Sequence, residues 1–174
     1  ARMSGEASHV RGIVRALVRE GCALVLFASG WTPQHGDTMQ FAYVPQIKVP
    51  GLFSISFGVL SPLRMALTLL TQRPDFIIAR YHKFILLLLV LANLCRLKIV
   101  LEVNSDIRSE RLMADGGVIR NQVETWLEEA SYRLATGIIA VSQSVADSIR
   151  LRFPRIETPI EVVPNGVDTD VYFP

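Results

Sequence analysis

The chain has 174 residues, of which 50% are hydrophobic and 20% charged, and its formal net charge is +2. This length holds one α/β domain with a proper core and is too short for two of ordinary size; the composition excludes disorder. The charge is too small to argue for nucleic acid, no basic cluster is interleaved with aromatics, and no zinc-ligand spacing occurs. Cys22 and Cys95 lie far apart inside apolar segments and read as buried reduced thiols of a cytoplasmic protein. The longest apolar run, residues 84–92, falls well short of the roughly 20 residues that span a bilayer. It reads as a buried helix, with a membrane-dipping segment as the alternative. The N-terminus carries no signal-peptide pattern and does not begin with Met, so the expectation is a piece of something longer.

Along the chain, Val10, Ile13, Val14, Leu17 and Val18 fall at i, i+3, i+4, i+7 and i+8 and predict an amphipathic helix, stopped by Gly21 at its C′ position. Residues 23–28 predict a buried strand. After a loop of turn formers (29–38), residues 41–49 predict a weaker strand closed by Pro50 and Gly51. Residues 61–72 predict a helix with Pro62 in its first turn. A strand over 76–79, an apolar helix over 85–95 and a buried strand over 98–103 follow. A polar segment (104–117) crosses to a helix over 121–135, ended by Gly137, and then to a strand over 138–141. Ser144 to Asp147 resembles a capping box, with Asp at the fourth position, opening a helix that ends before Pro154. Residues 160–163 predict the last strand.

This alternation predicts an α/β fold, a doubly wound, mostly parallel Rossmann-like sheet with helices on both faces. No strand signal precedes the first helix. In a doubly wound sheet the strand feeding that helix lies near the middle, so a gap is expected at the sheet's centre, leaving a fragment of low stability.

Ligands of open α/β sheets bind beyond the C-terminal ends of the strands. The candidate residues there are Arg80, Glu102, Asn104, Ser142, Asn165 and Gly166. Gly5, before the first helix, lies on the same edge, where a small residue lets a phosphate or hydroxyl approach the free amides. An ordinary turn glycine fits Gly5 equally well. Asn165-Gly166 reads as a tight turn with positive φ. Glu102 interrupts a wholly apolar strand, and a buried Glu is rare unless paired. A functional role and an ion pair with Arg80 both fit it; Asn104 fits a turn cap as well as a ligand contact.

Arg11, Arg15 and Arg19 line one helical face, read as solvated, with anionic lipid or phosphate as the sharper alternative. The glycine-rich dinucleotide and P-loop fingerprints, the nucleophile elbow and the zincin motif are all absent. His9, His35 and His82 are scattered without metal spacing, which favours structural or solvent-exposed roles over catalysis.

With these residues in view, the chain resembles the N-terminal half of the group 1, family 4 retaining glycosyltransferases, which have the GT-B fold. Gly5 stands where the family's Gly-rich loop precedes its first helix, and Val14 to Leu17 with Gly21 resembles that helix. Pro74-Asp75 through Arg80-Tyr81 is similar to the family's third strand segment. Leu101-Glu102-Val103-Asn104 with Glu110, and Ile139-Ala140-Val141-Ser142 with Ser144-Val145, are similar to two further segments. Val163-Pro164-Asn165-Gly166-Val167-Asp168 with Phe173-Pro174 is the most specific piece. All six occur in the family's order.

The resemblance implies a two-domain enzyme that moves a sugar from a nucleotide-sugar donor to a glycan or lipid-linked acceptor with retention of configuration. Residues 1–174 would be the acceptor-side domain. The nucleotide sugar would be bound mainly by an absent C-terminal domain, as a substrate and with no cofactor. The isolated fragment is then expected to be inactive. Many members carry His where this chain has Asn104, so a general-base role at that position is in doubt. The alternatives are a non-catalytic sugar-binding domain and half of a GT-B sugar epimerase or synthase. The expected location is cytoplasmic, with peripheral contact at the membrane's inner face as a further option; no nucleic acid partner is expected.

Overall fold

Helix α1 (Gly5–Arg19) turns its apolar stripe inward, burying Val14 with Val10, Ile13, Leu17 and Val18 half-buried beside it. It ends as the sequence predicts. Gly21 takes φ +80°, its N–H donates to the Val18 carbonyl at 3.0 Å, and the Cys22 N–H donates to the Leu17 carbonyl at 3.0 Å. That pair of bonds is a Schellman cap, and its left-handed residue carries no Cβ penalty when it is Gly. The computed structural model describes residues 5–28, 40–44, 52–82, 84–105 and 118–166. The expectations for residues 29–38, Pro50, Gly51, His35, Glu110, Val167, Asp168, Phe173 and Pro174, and for the Arg11 side chain, lie outside what is described.

The described strands form two parallel sheets. β1 (Val25–Ala28) pairs with β2 (Gln40–Tyr43). The larger sheet holds β3 (Phe76–Arg80), β4 (Lys98–Val103), β5 (Gly137–Ala140) and β6 (Ile160–Val162), in that order. Helix α2 (Leu52–Leu69) leads into β3, while α3 (Leu86–Leu94), α4 (Val118–Leu134) and α5 (Gln143–Arg152) connect the strands that follow. Each of those three crossovers steps one strand in the same direction. Right-handed connections therefore stack α3, α4 and α5 on one face. Among the described residues no strand precedes α1, and β1 is not joined to the four-stranded sheet.

Side chains alternate faces along a strand, which sorts β4 into two sets. Ile99, Leu101 and Val103 enter the core with Ile138 and Ala140 of β5, Leu89 and Ala92 of α3, Tyr132 of α4, and Val145, Ala146 and Ile149 of α5. Burying each large apolar side chain contributes roughly 1.5–3 kcal/mol. Val100 and Glu102 point to the opposite face, the one reached by α1.

Helix α2 begins nine residues before its expected start at Ser61, at Leu52, and Pro62 lies in its interior instead of its first turn. A mid-helix proline withdraws one N–H and crowds the carbonyl four residues earlier. That residue is Gly58, where an added Cβ would sit 2.5 Å from the Phe84 Cβ and 2.9 Å from the Phe84 carbonyl oxygen. The glycine lets the chain entering α3 lie directly on α2.

Gly137 is not a helix cap. It opens β5 without a left-handed backbone. Helix α4 is terminated instead by Thr136, whose N–H donates to the Ile99 carbonyl at 2.8 Å and whose Oγ1 accepts the Ile99 N–H at 3.1 Å. This exchange draws the chain into the sheet. The cap of α5 is Ser142, two residues earlier than Ser144. Asp147 pairs with Gln143 and Arg150 on the helix surface and does not close a capping box. Cys22 and Cys95 are free and half-buried, not fully buried.

Between α4 and α5 lies an ion pair that the sequence did not announce. Glu128 is 1% exposed, and both its oxygens accept from the Arg152 guanidinium at 2.8 and 2.7 Å. The Tyr132 hydroxyl donates to it as well, at 3.1 Å. Burial, reinforced by the Glu128 charge, pushes the Tyr132 phenol well above its usual range, so it remains a donor.

Candidate functional site at the C-terminal edge of the sheet

In a parallel sheet all strands end on one edge, and here the backbone ladder carries the alignment slightly past them. Tyr81 donates to the Glu102 carbonyl at 2.8 Å, Val141 to Val103 at 3.2 Å and Val163 to Ala140 at 2.9 Å. Arg80, Glu102, Asn104 and Ser142 therefore share one rim.

Glu102 is the centre of the arrangement. It is 6% exposed, at the end of a strand otherwise made of Ile, Val and Leu. A carboxylate buried this far needs hydrogen-bonded partners. His9 provides one from α1, its Nε2 lying 2.9 Å from Oε1, with only 19% of the imidazole exposed. Asn104, two residues along the chain on the same face, donates its side-chain Nδ2–H to the same oxygen. Asn104 Oδ1, in contrast, is enclosed and has no hydrogen-bond partner among the described residues. Arg80 stands beside Glu102 in register on the neighbouring strand. The site thus joins α1, β3 and β4.

The other expected site residues fall outside this cluster. Gly5 is the first residue of α1, one helical turn before His9. The Ser142 hydroxyl accepts the Val145 N–H at 3.3 Å and its carbonyl accepts the Ala146 N–H at 3.1 Å, so it is occupied as a helix cap. Asn165 and Gly166 are exposed beyond β6, and neither has the positive φ of the expected tight turn.

Two residues on this edge were missed. His9, by its sequence one of three scattered histidines, lies one turn after Gly5 on α1 and reaches Glu102 only through the fold. His82 directly follows Arg80-Tyr81. Its ring meets Phe57 edge-on at a centroid distance of 5.7 Å, and burial lowers its pKa, which favours the neutral imidazole. Among the described residues no three His, Cys, Asp or Glu side chains converge to hold a metal ion. Nor is any described helix long and apolar enough to cross a membrane.

A parallel four-stranded sheet flanked by helices, with a polar cluster on its C-terminal edge, is a Rossmann-like half of the GT-B type. The chain belongs to Glycosyltransferase Family 4, whose family model matches residues 3–171. It is also 35% identical over 54 residues to alpha-maltose-1-phosphate synthase of Mycolicibacterium smegmatis. That match covers 30% of this chain and 14% of the relative, so the likeness extends over a small part of that protein's length.

Proposed function

We propose that this chain is the acceptor-side domain of a retaining glycosyltransferase. It would work with a C-terminal domain that binds the nucleotide sugar and would deliver a glycan or lipid-linked acceptor to it. The observation that carries this reading is the Glu102–Asn104–His9 cluster on the strand-end rim of a family 4 chain. In the reaction, the bond from the anomeric carbon to the leaving phosphate oxygen breaks as the bond to the acceptor hydroxyl oxygen forms on the same face. The hydroxyl proton passes to the departing diphosphate. The protein then acts mainly by positioning and by stabilising charge on the leaving group, a division of labour that suits a domain whose rim orients hydroxyls.

The proposed setting is the cytoplasm, at the membrane's inner face. Val59, Leu63 and Leu67 form an exposed apolar stripe along α2 that Leu70 continues just past its end, and the exposed Arg15 and Arg19 lie on α1; both suit a lipid-linked acceptor.

The test is to assay the full-length protein against nucleotide sugars, following nucleoside diphosphate release and the anomeric configuration of the product. Retention with turnover is expected, and negligible nucleotide binding by residues 1–174 alone. A full-length protein silent on every donor, or tight nucleotide binding by this domain, would overturn the reading. The second reading, a non-catalytic sugar-binding domain, is favoured by Asn104, which cannot titrate. Glycan binding without turnover in the full-length protein would establish it.

A further inference from the structure

The donors and acceptors around Glu102 do not balance. Oε1 of Glu102 takes the proton of His9 Nε2 and one proton of Asn104 Nδ2. With Nε2–H committed to the carboxylate, the second ring nitrogen of His9, Nδ1, offers a lone pair in that tautomer. Asn104 has its Oδ1, enclosed and without a partner among the described residues. Facing away from the carboxylate are thus two acceptors, His9 Nδ1 and Asn104 Oδ1, beside the second N–H of Asn104 Nδ2. A buried acceptor without a partner is uncommon in a native protein and marks a group that something else completes. The matching ligand brings O–H donors.

We propose that His9 Nδ1 and Asn104 Oδ1 form a subsite that accepts hydrogen bonds from hydroxyl groups of the sugar acceptor, with Glu102 as the positioning residue that holds both in orientation. The inference rests on reading this rim as the acceptor side, and it adds His9 to the binding residues of that site. It also gives Glu102 a definite task. By accepting from both side chains at one oxygen, it fixes the imidazole tautomer and the amide's orientation, as a carboxylate behind a histidine commonly does. No proton is transferred by either residue; the hydroxyls are bound through their own hydrogens.

The test has two arms. In the first, the chain with 15N-labelled histidine is titrated with methyl α-D-glucopyranoside, and the His9 ring nitrogens are observed by NMR. The expected result is a Nε2–H tautomer in the free protein and a selective shift of Nδ1 on titration. Glu102→Gln should broaden or mix the tautomers. A His9 resonance that does not respond to the glycoside, or an Nδ1–H tautomer in the free protein, would overturn the proposal.

In the second arm, His9→Gln and His9→Leu are compared in the full-length enzyme. Gln keeps a donor for Glu102 and brings an acceptor oxygen of its own, so it is the conservative variant, whereas Leu removes both. A lost hydrogen bond to a neutral hydroxyl should raise the acceptor KM about five- to tenfold, with the donor KM unchanged. An unchanged acceptor KM in a folded His9→Leu variant would overturn the proposal while leaving the transferase reading intact. Absence of all turnover in the wild type would refute that reading, and the NMR arm would still decide the subsite.

Discussion

Replacing Arg152 by Met strands the Glu128 carboxylate between α4 and α5. Glu128 is 1% exposed and the Arg152 side chain 15%, so water reaches the acid hardly at all and the base only partly. Breaking a buried pair by removing one partner costs about 3–5 kcal/mol, because the remaining charge keeps its desolvation penalty. Two local terms adjust that figure. The Tyr132 hydroxyl, 3.1 Å from Glu128, stays as a donor and offsets about 1 kcal/mol. The guanidinium also lies 4.8 Å from the Phe153 ring centroid, and losing it removes about 0.5–1 kcal/mol. Met retains most of the packing of the Arg stem, so the expected loss is about 3–4 kcal/mol. That is a large share of the roughly 5–15 kcal/mol of a typical domain.

Urea unfolding followed by circular dichroism measures the loss. With a slope near 2 kcal/mol/M, a loss of about 3 kcal/mol lowers the midpoint by roughly 1.5 M at unchanged slope. The second mutation sharpens the test. Glu128→Gln leaves an acceptor for Tyr132 and turns the stranded charge into a neutral amide. The double variant Arg152→Met/Glu128→Gln should therefore recover about 2 kcal/mol relative to Arg152→Met alone. An Arg152→Met loss below about 1 kcal/mol, or a double variant no more stable than the single, would refute the burial argument.

Three further outcomes follow from particular backbone and side-chain positions. Arg96 holds φ +56° in the Schellman cap of α3, where its N–H donates to the Asn93 carbonyl and the Leu97 N–H to the Ala92 carbonyl. Arg96→Gly should stabilise by about 0.5–1 kcal/mol in the same urea assay, and a loss of stability would contradict that. Gly58→Ala should destabilise by about 1–2 kcal/mol although Ala favours helix, because the new methyl meets the Phe84 backbone; a gain would mean that Phe84 yields freely.

His82 gives the pH dependence. Its folded pKa lies below the ordinary 6.5, so the unfolded chain takes up the proton first as pH falls. Stability is then lost from about pH 6.5 down towards the lowered value, by at most about 1.4 kcal/mol per pH unit. His82→Phe should remove that share of the slope. Parallel stability curves for the two proteins between pH 5 and 7, on the order of one unit either side of the shift, would sink the assignment.

The sequence carried the architecture because its periodicities are local. The strand over 98–103 is found at those bounds, since a β-branched and leucine run broken only by Glu102 has one way to bury itself in a parallel sheet. Gly21 is legible for the same reason, as a glycine placed just past an amphipathic stripe. The misses are tertiary. Pro62 argues locally for a helix start, and only the close approach of Phe84 to Gly58 shows why the helix continues through it. Gly137 reads as a cap until Thr136 is seen bonding Ile99, 37 residues away. Of the site, Glu102 was visible as an acid in an apolar strand. Its partner His9 was not, because 93 residues separate them and no pattern within α1 distinguishes a histidine turned towards the sheet from one turned towards water.

The same bond explains why the site sits where it does. Helix α1 leads into β1 and the two-stranded sheet, whereas Glu102 belongs to the four-stranded sheet, and Phe27 of β1 packs on the latter's core. The His9–Glu102 bond therefore spans the seam between the two sheets. If clamping that seam were the whole task, an apolar pair would serve at least as well, since replacing buried ionic partners by hydrophobic ones is often neutral or stabilising. Glu102 stands in a strand whose other positions up to it are Lys98 at the exposed start and then Ile99, Val100 and Leu101, so an apolar residue would fit the local pattern. A carboxylate at that position, drawing one donor each from His9 and Asn104 and leaving the Asn104 oxygen over, fits the proposed binding of a hydroxylated ligand better than a purely structural role.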